Sequence, residues 1–329
     1  MPDARTAVTF AGYASKVLGS RLVSSAATAS TRTRVRILAY HGISNIQRFE
    51  QHLKAILADF EPVTGRQVMA AYGDGNRLPD RALWVTFDDG HPEVVTAAMP
   101  LLDTFGITAT MFVCPGVMDT DEPFWWEVVR VADQLGLTKG LLDAHGAEAF
   151  EASLKRCSDD ERRDLVAQLR AAVTEHGGDL LVRPQLRSDQ LRLWVDHRHE
   201  VGNHTWTHPL LDRCSSDEQV RQVNHAHAWL EEAIGESPTL FAYPNGNWAK
   251  STERALMKLG YQVAVGFDHR LASVPQHDAL RLSRLRIDGD APIERFRAIA
   301  SGIHPQLLTT RRRLLDRARL SADPRELPR

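Results

Sequence analysis

Leu83-Trp84-Val85-Thr86-Phe87-Asp88-Asp89-Gly90-His91-Pro92 contains the turn on which the fold depends. The run 83–87 is apolar almost without interruption, which predicts a strand buried on both faces. Asp-Asp-Gly ends it. Residues 92–105 then carry helical spacing, and Pro92 suits a first helical turn, where an N–H would lack a partner anyway. A second apolar run follows at 109–113. Strand, loop, helix and strand in this order predict a parallel α/β sheet or barrel.

The same alternation extends in both directions. Upstream, 35–40 predicts a buried strand, and 48–60 a helix with Phe49, Leu53, Ile56, Leu57 and Phe60 on one face. Between about 119 and 187 the pattern changes to helices, at 125–135 and 159–175, with no strand, which predicts a helical insertion. Alternation then resumes. A helix at 188–196 precedes a strand from Glu200, and Ser215 with Glu218 forms a capping box for a helix through Ile234. Strands are expected at 240–243, 262–265 and 285–287, and helices at 252–259, 292–300 and 307–320. The last of these is basic and is read as a solvated face. Residues 24–34 are small, polar and basic and read as a linker. The expected organisation is an extension and linker over 1–34, one α/β domain over 35–303, and a C-terminal helix and tail over 304–329.

Bulk properties narrow the function. The net charge of −2 gives no field for nucleic acid or an anionic membrane. The three cysteines are widely spaced and form no CxxC, which predicts reduced, packed thiols rather than a disulfide framework or thiolate zinc site. No signal-like start and no transmembrane-length apolar run are present, so a cytoplasmic location is expected. The weakly amphipathic stretch 7–23 suits a packing helix, or a peripheral lie on a membrane surface.

Three polar clusters fall where strands end, the edge at which parallel α/β folds bind ligands. At Asp88-Asp89-Gly90 two diverging carboxylates can serve one as metal ligand and one as base; the same sequence also makes an ordinary Asp-Gly turn with a helix cap. At Gly202-Asn203-His204-Thr205-Trp206-Thr207-His208, two histidines four apart can meet one metal ion, although fourteen histidines make a chance HxxxH easy. At Tyr243-Pro244-Asn245-Gly246 the broken strand can turn a backbone N–H toward an oxyanion, or simply turn.

Together, and in this order, TFDDG (86–90), GNHTWTH (202–208) and YPNG (243–246) resemble the polysaccharide deacetylase family, with its NodB-like catalytic domain. The resemblance covers about 35–303. Ala39-Tyr40-His41-Gly42-Ile43 looks like the start of members acting in exopolysaccharide or lipid-linked glycan pathways. The resemblance implies a distorted (β/α)7-type barrel and a hydrolase that removes acetyl groups from an N-acetylated amino sugar in a polysaccharide or glycan precursor. It implies Asp89, His204 and His208 as ligands of zinc or another first-row divalent metal, Asp88 as general base, and Asn245 as oxyanion donor. Tyr243, Pro244, Trp206 and Arg286 are candidate substrate contacts. Two features depart from the family pattern. The third motif has Ala242 where many members carry an arginine that orients the aspartate, and the late strand, Arg284-Leu285-Arg286-Ile287-Asp288, lacks the histidine acid that many supply from a Leu-x-His motif. Arg286 could hold the aspartate or a substrate anion, and His41, His269 or the metal-bound group itself could supply the acid. The alternatives are an O-acetyl esterase on the same centre and a non-catalytic glycan-binding protein.

Overall fold

The computed structural model describes residues 18–303, apart from 74, 140, 143–145, 181–183 and 274–277. The expected helix at 307–320 and most of the stretch 7–23 lie outside the described residues.

The first described helix, α1 (Arg21–Ser30), occupies the stretch expected to be a linker. Its small side chains allow it to lie close to the body of the protein. Ser24 and Thr28 are buried, and at Gly19, just before it, an added Cβ would fall 1.8 Å from the carbonyl oxygen of Glu294. Strand β1 (Arg36–Tyr40) follows, then α2 (Ile46–Asp59), a two-residue β2 (Glu61–Pro62), α3 (Gly65–Gly73) and β3 (Ala82–Phe87). Every residue of β1 and β3 is buried, as expected for strands covered on both faces. The helix expected after β3 opens with a π-helical turn (Val94–Ala98) before α4 (Met99–Phe105). Such turns concentrate beside functional sites. Strand β4 (Ala109–Val113) completes the unit.

The insertion contains no strand among its described residues. It is built from α5 (Trp125–Gln134), a helix α6 (Ala147–Leu154) that the sequence reading did not resolve, and α7 (Asp159–Glu175). These pack around their own small core of Val128, Val129, Phe150, Leu154, Leu169 and Val173. The main alternation continues with α8 (Ser188–Asp196), β5 (Glu200–Asn203), α9 (Ser216–Ile234), β6 (Leu240–Ala242), α10 (Lys250–Lys258) and β7 (Val263–Gly266). Short strands β8 (Leu282–Ser283) and β9 (Leu285–Arg286) precede α11 (Ile293–Ala300), which packs against α1. Half of the expected capping box forms at α9. Ser215 Oγ accepts from the Glu218 N–H at 3.2 Å, but the Glu218 carboxylate turns to Arg221 at 2.6 and 2.7 Å instead of reaching back.

The strand path is β8-β7-β6-β5-β4-β3-β1-β9, parallel throughout, with β2 on the side of β3. Its two ends, β8 and β9, are separated in the chain by Arg284 alone. The single stretch 282–286 therefore pairs with β7 on one side and β1 on the other. With β1, β3, β4, β5, β6 and β7 it makes the distorted seven-strand barrel that the motifs implied.

One core histidine ties stability to pH. His52 on α2 is fully buried, stacks on Phe296 with centroids 4.5 Å apart, and lies 2.9 Å from the Ala291 carbonyl oxygen. Burial pushes its pKa from 6.5 to about 4. Neutral His52 thus stabilises the fold fully above pH 6.5, and this contribution, about 3 kcal/mol at most, is lost as pH falls toward 4. Chemical denaturation of His52→Gln should show a shallower loss of stability over that window than the unsubstituted protein.

Candidate metal and catalytic site

The C-terminal end of β3 delivers Asp88 and Asp89. Asp89 and Gly90 both have φ of 71°, a left-handed conformation costly for an aspartate and easy for glycine. The bend sends the two carboxylates in different directions. At the end of β5, Asn203 fastens the next loop: its Nδ2 donates to the Tyr261 hydroxyl at 2.7 Å, and its Oδ1 accepts from the Thr205 N–H at 2.7 Å. Thr205 Oγ1 then accepts from the His208 N–H at 3.1 Å, and Gln222 on α9 clasps both the N–H and the hydroxyl of Thr207. The polar residues between the histidines thus hold a strained loop in which Thr205 and His208 are also left-handed. Trp126 of the insertion closes on the His208 ring, with centroids 4.7 Å apart.

His204 and His208 each bring Nε2 to 3.4 Å from Asp89 Oδ1. The Nδ1 of His204 lies 2.7 Å from the carbonyl oxygen of Ala242, which can only accept, so Nδ1 carries the proton and Nε2 presents its lone pair. Burial pushes His208 down to about 3, keeping it neutral. Burial alone would raise the Asp89 pKa, but His204 and His208 beside it hold it well below the usual carboxylate range. The three ligand atoms lie within 4.8 Å of one another. Asp89 Oδ1 is buried and has no hydrogen-bond partner among the described residues. A buried carboxylate oxygen without a hydrogen-bond partner, 3.4 Å from two imidazole Nε2 atoms, is poorly satisfied by the protein alone and well satisfied by a cation. The donor set therefore fits a first-row divalent ion.

Asp88 is fully buried and gripped by Arg284, whose Nη1 and Nη2 reach Oδ1 and Oδ2 at 2.7 Å each. Arg284 is fixed in turn by Thr86 Oγ1 at 3.1 Å and by the Phe267 ring, 4.4 Å from its Cζ. Burial by itself would raise the Asp88 pKa; the Arg284 charge, with His204 next, brings it below the ordinary value. The orienting arginine absent from the third motif is thus supplied by the closing strand. The candidate named for that task was Arg286. In a regular strand 284 and 286 would share a face, but pairing breaks at 284, and the two separate. Arg284 is fully buried, whereas the Arg286 side chain is 60% exposed and lies 3.8 Å from Asp288.

A cavity of about 280 Å³ gathers Asp88, Asp89, His204, His208, Asn245, His41 and Arg286. His41 directly follows β1 and stacks on Phe267 with centroids 6.0 Å apart; burial lowers its pKa. His269 is in the same wall. Asn245 is held left-handed, at φ 54°, in the turn after β6. The other three expected contacts are elsewhere. Alternation along β6 sends Phe241 and Tyr243 into the packing behind the barrel, with Tyr261 and Leu256. Pro244 is buried beside Tyr243 and shapes the Asn245 turn. Trp206 lines a neighbouring cleft. Sequence reasoning missed Arg284, His91, whose Nε2 is 3.6 Å from Asp89 Oδ2, and the wall formed by Arg130, Glu151 and Lys155 of the insertion. The signal for Arg284 was a basic residue inside an otherwise apolar closing strand.

A family model described as polysaccharide deacetylase matches residues 75–264, more than half of the chain. The chain belongs to the polysaccharide deacetylase family. Among curated members of related sequence, the peptidoglycan-N-acetylmuramic acid deacetylase PdaC of Bacillus subtilis is 39% identical over 64 residues, 20% of this chain but only 14% of PdaC. The poly-β-1,6-N-acetyl-D-glucosamine N-deacetylase of Escherichia coli is 23% identical over 228 residues, 67% of this chain and 30% of that protein. This chain thus spans a minor part of both deacetylases. The Streptococcus pyogenes deacetylase PplD, solved with acetate, shares the fold at 18% identity and a TM-score of 0.57, covering 80% of this chain and 97% of PplD. In this member of the family, His41 and Arg284 fall outside the span matched by the family model.

Proposed function

We propose that this protein hydrolyses the acetamido group of an N-acetylated amino sugar in a polysaccharide or glycan precursor, with Asp89, His204 and His208 holding one divalent ion, zinc by donor type. The observation that carries this reading is the partnerless Asp89 Oδ1 between two imidazole Nε2 atoms, beside a clamped Asp88. Family membership and the described activity of the Escherichia coli relative support the substrate class. When bound, such an ion supplies Lewis-acid polarisation of a carbonyl oxygen and acidifies water.

The chain's own groups do the rest. Asp88, kept ionised and immobile by Arg284, takes a proton from the water as its oxygen adds to the acetyl carbon. The backbone N–H of Asn245, on the cavity wall, donates to the developing oxyanion. Collapse breaks the C–N bond. The leaving amine needs one proton, and the one held by Asp88 is available to it, directly or relayed through neutral His41. The products are acetate and a free amine.

Metal analysis with an acetate-release assay on N-acetylglucosamine oligomers tests this. The expected result is about one zinc per chain with acetate release, and an Asp88→Asn variant that keeps the metal but loses about a hundredfold to ten-thousandfold in rate. Full activity in Asp88→Asn would remove the base, and release from O-acetylated sugars alone would replace the amide with an ester.

A further inference from the structure

The Asn245 N–H can serve an oxyanion only if the turn that carries it is held. Asn245 is left-handed, at φ 54° and ψ 10°, a conformation that costs free energy for any residue with a side chain. Gly246 beside it is left-handed too, and an added Cβ there would fall 2.6 Å from the backbone nitrogen of Phe267, so the turn is seated on the chain just past β7. The N–H groups of Gly246 and Asn247 are spent inside the turn, donating to the Tyr243 and Pro244 carbonyls at 2.8 and 3.1 Å. That of Asn245 meets no acceptor among the described residues. The backbone thus closes the turn without tying down the one peptide whose N–H is free.

Side chains supply that tie. Asp212 lies in a short 3-10 turn, Leu211–Arg213, that follows the metal-ligand loop. Its carboxylate can only accept, and Oδ1 accepts from Asn247 Nδ2 at 2.6 Å. This bond decides which way the Asn247 amide faces. With Nδ2 committed to Asp212, Oδ1 is turned to accept from Asn245 Nδ2 at 2.9 Å. A carboxylate acceptor makes the first of these bonds stronger than an amide pair would be. Behind the relay, Leu211 is buried in the same cluster as Tyr243, so the two loops are also packed together. His208 from one loop and Asn245 from the other both line the catalytic cavity.

Resting on the deacetylase reading, we propose that Asp212 is a positioning residue for this reaction. Acting through Asn247, it holds the Asn245 turn in register with the metal-ligand loop, so that the oxyanion donor keeps a fixed place relative to His208. Asp212 itself touches none of the reacting atoms.

Kinetics on N-acetylglucosamine oligomers with zinc-loaded protein test this. Asp212→Ala should lower kcat about tenfold with KM unchanged, a fraction of the loss from deleting an oxyanion donor outright. Asp212→Asn, which still offers an oxygen to Asn247, should restore most of the rate. Asn247→Ala should match Asp212→Ala, and the double variant should be no slower than either, because the two side chains act as one unit. Melting temperature and zinc content establish that the variants are folded and loaded. Backbone amide NMR relaxation is an arm independent of turnover: Asn245 should be rigid in the unsubstituted protein and mobile in Asp212→Ala. An unchanged kcat in folded, loaded Asp212→Ala, a loss carried by KM, or an Asp212→Asn variant no faster than Asp212→Ala overturns the positioning role. If the unsubstituted protein releases no acetate, the deacetylase reading fails, and relaxation alone decides whether Asp212 holds the turn; equal rigidity of Asn245 in both proteins then overturns that as well.

Discussion

Arg284→Met should lower both the stability and the rate of this protein. Asp88 is fully buried and gives both oxygens to that guanidinium, so its removal leaves a carboxylate with neither water nor its main counter-charge. Breaking a buried pair from one side costs about 3–5 kcal/mol, far more than the pair itself contributes over an apolar replacement. Chemical denaturation should register a loss of this size. Turnover should fall about a hundredfold even in the surviving folded fraction, because a base displaced by an ångström no longer meets its proton. Arg284→Lys should land between the two, restoring a charge but not the planar fork. The combination of Arg284→Met with Asp88→Asn should recover most of the stability and none of the rate. A fully active Arg284→Met would show that the clamp is dispensable.

His204→Ala should abolish zinc retention after dialysis and reduce acetate release about a thousandfold, the equivalent of several kcal/mol of charge stabilisation. A second readout needs no substrate. A ligand that binds only the native state raises the melting temperature with its concentration. Added zinc should therefore raise the melting temperature of the unsubstituted protein but leave His204→Ala unmoved. Without metal the variant should melt lower than the unsubstituted protein, since deleting the buried ring leaves a cavity and an unpaired Ala242 carbonyl, so the zinc-induced shift within each protein is the quantity compared. Zinc-dependent stabilisation surviving in His204→Ala would place the metal elsewhere.

What could be read from the sequence followed from how local each signal was. The strands 83–87 and 109–113 are apolar because they are covered on both faces, so their composition alone placed them. Asp88, Asp89, His204 and His208 sit at strand ends within short motifs, and the fold brings them together as expected. Three features were harder to read. The 24–34 stretch looked like a linker because its helix is docked by small residues that leave no hydrophobic stripe. Tyr243 looked like a contact because its motif is at the site, but strand alternation turns its ring to the far side. Arg284 was passed over for Arg286 because regular alternation gives the two equal claims, and only the break in pairing separates them.

That break has a temporal side. Asp88, Asp89, His204 and His208 are all in place in the chain well before residue 284 is added. The strand that joins the first and last parts of the sheet is also the one that carries the clamp, so closure and arming are a single event. On the proposed reading, a chain whose final strand is undocked would still carry the candidate ligands Asp89, His204 and His208 but would leave Asp88 without Arg284. On that reading, readiness to cleave would certify that the last piece of the barrel has been set.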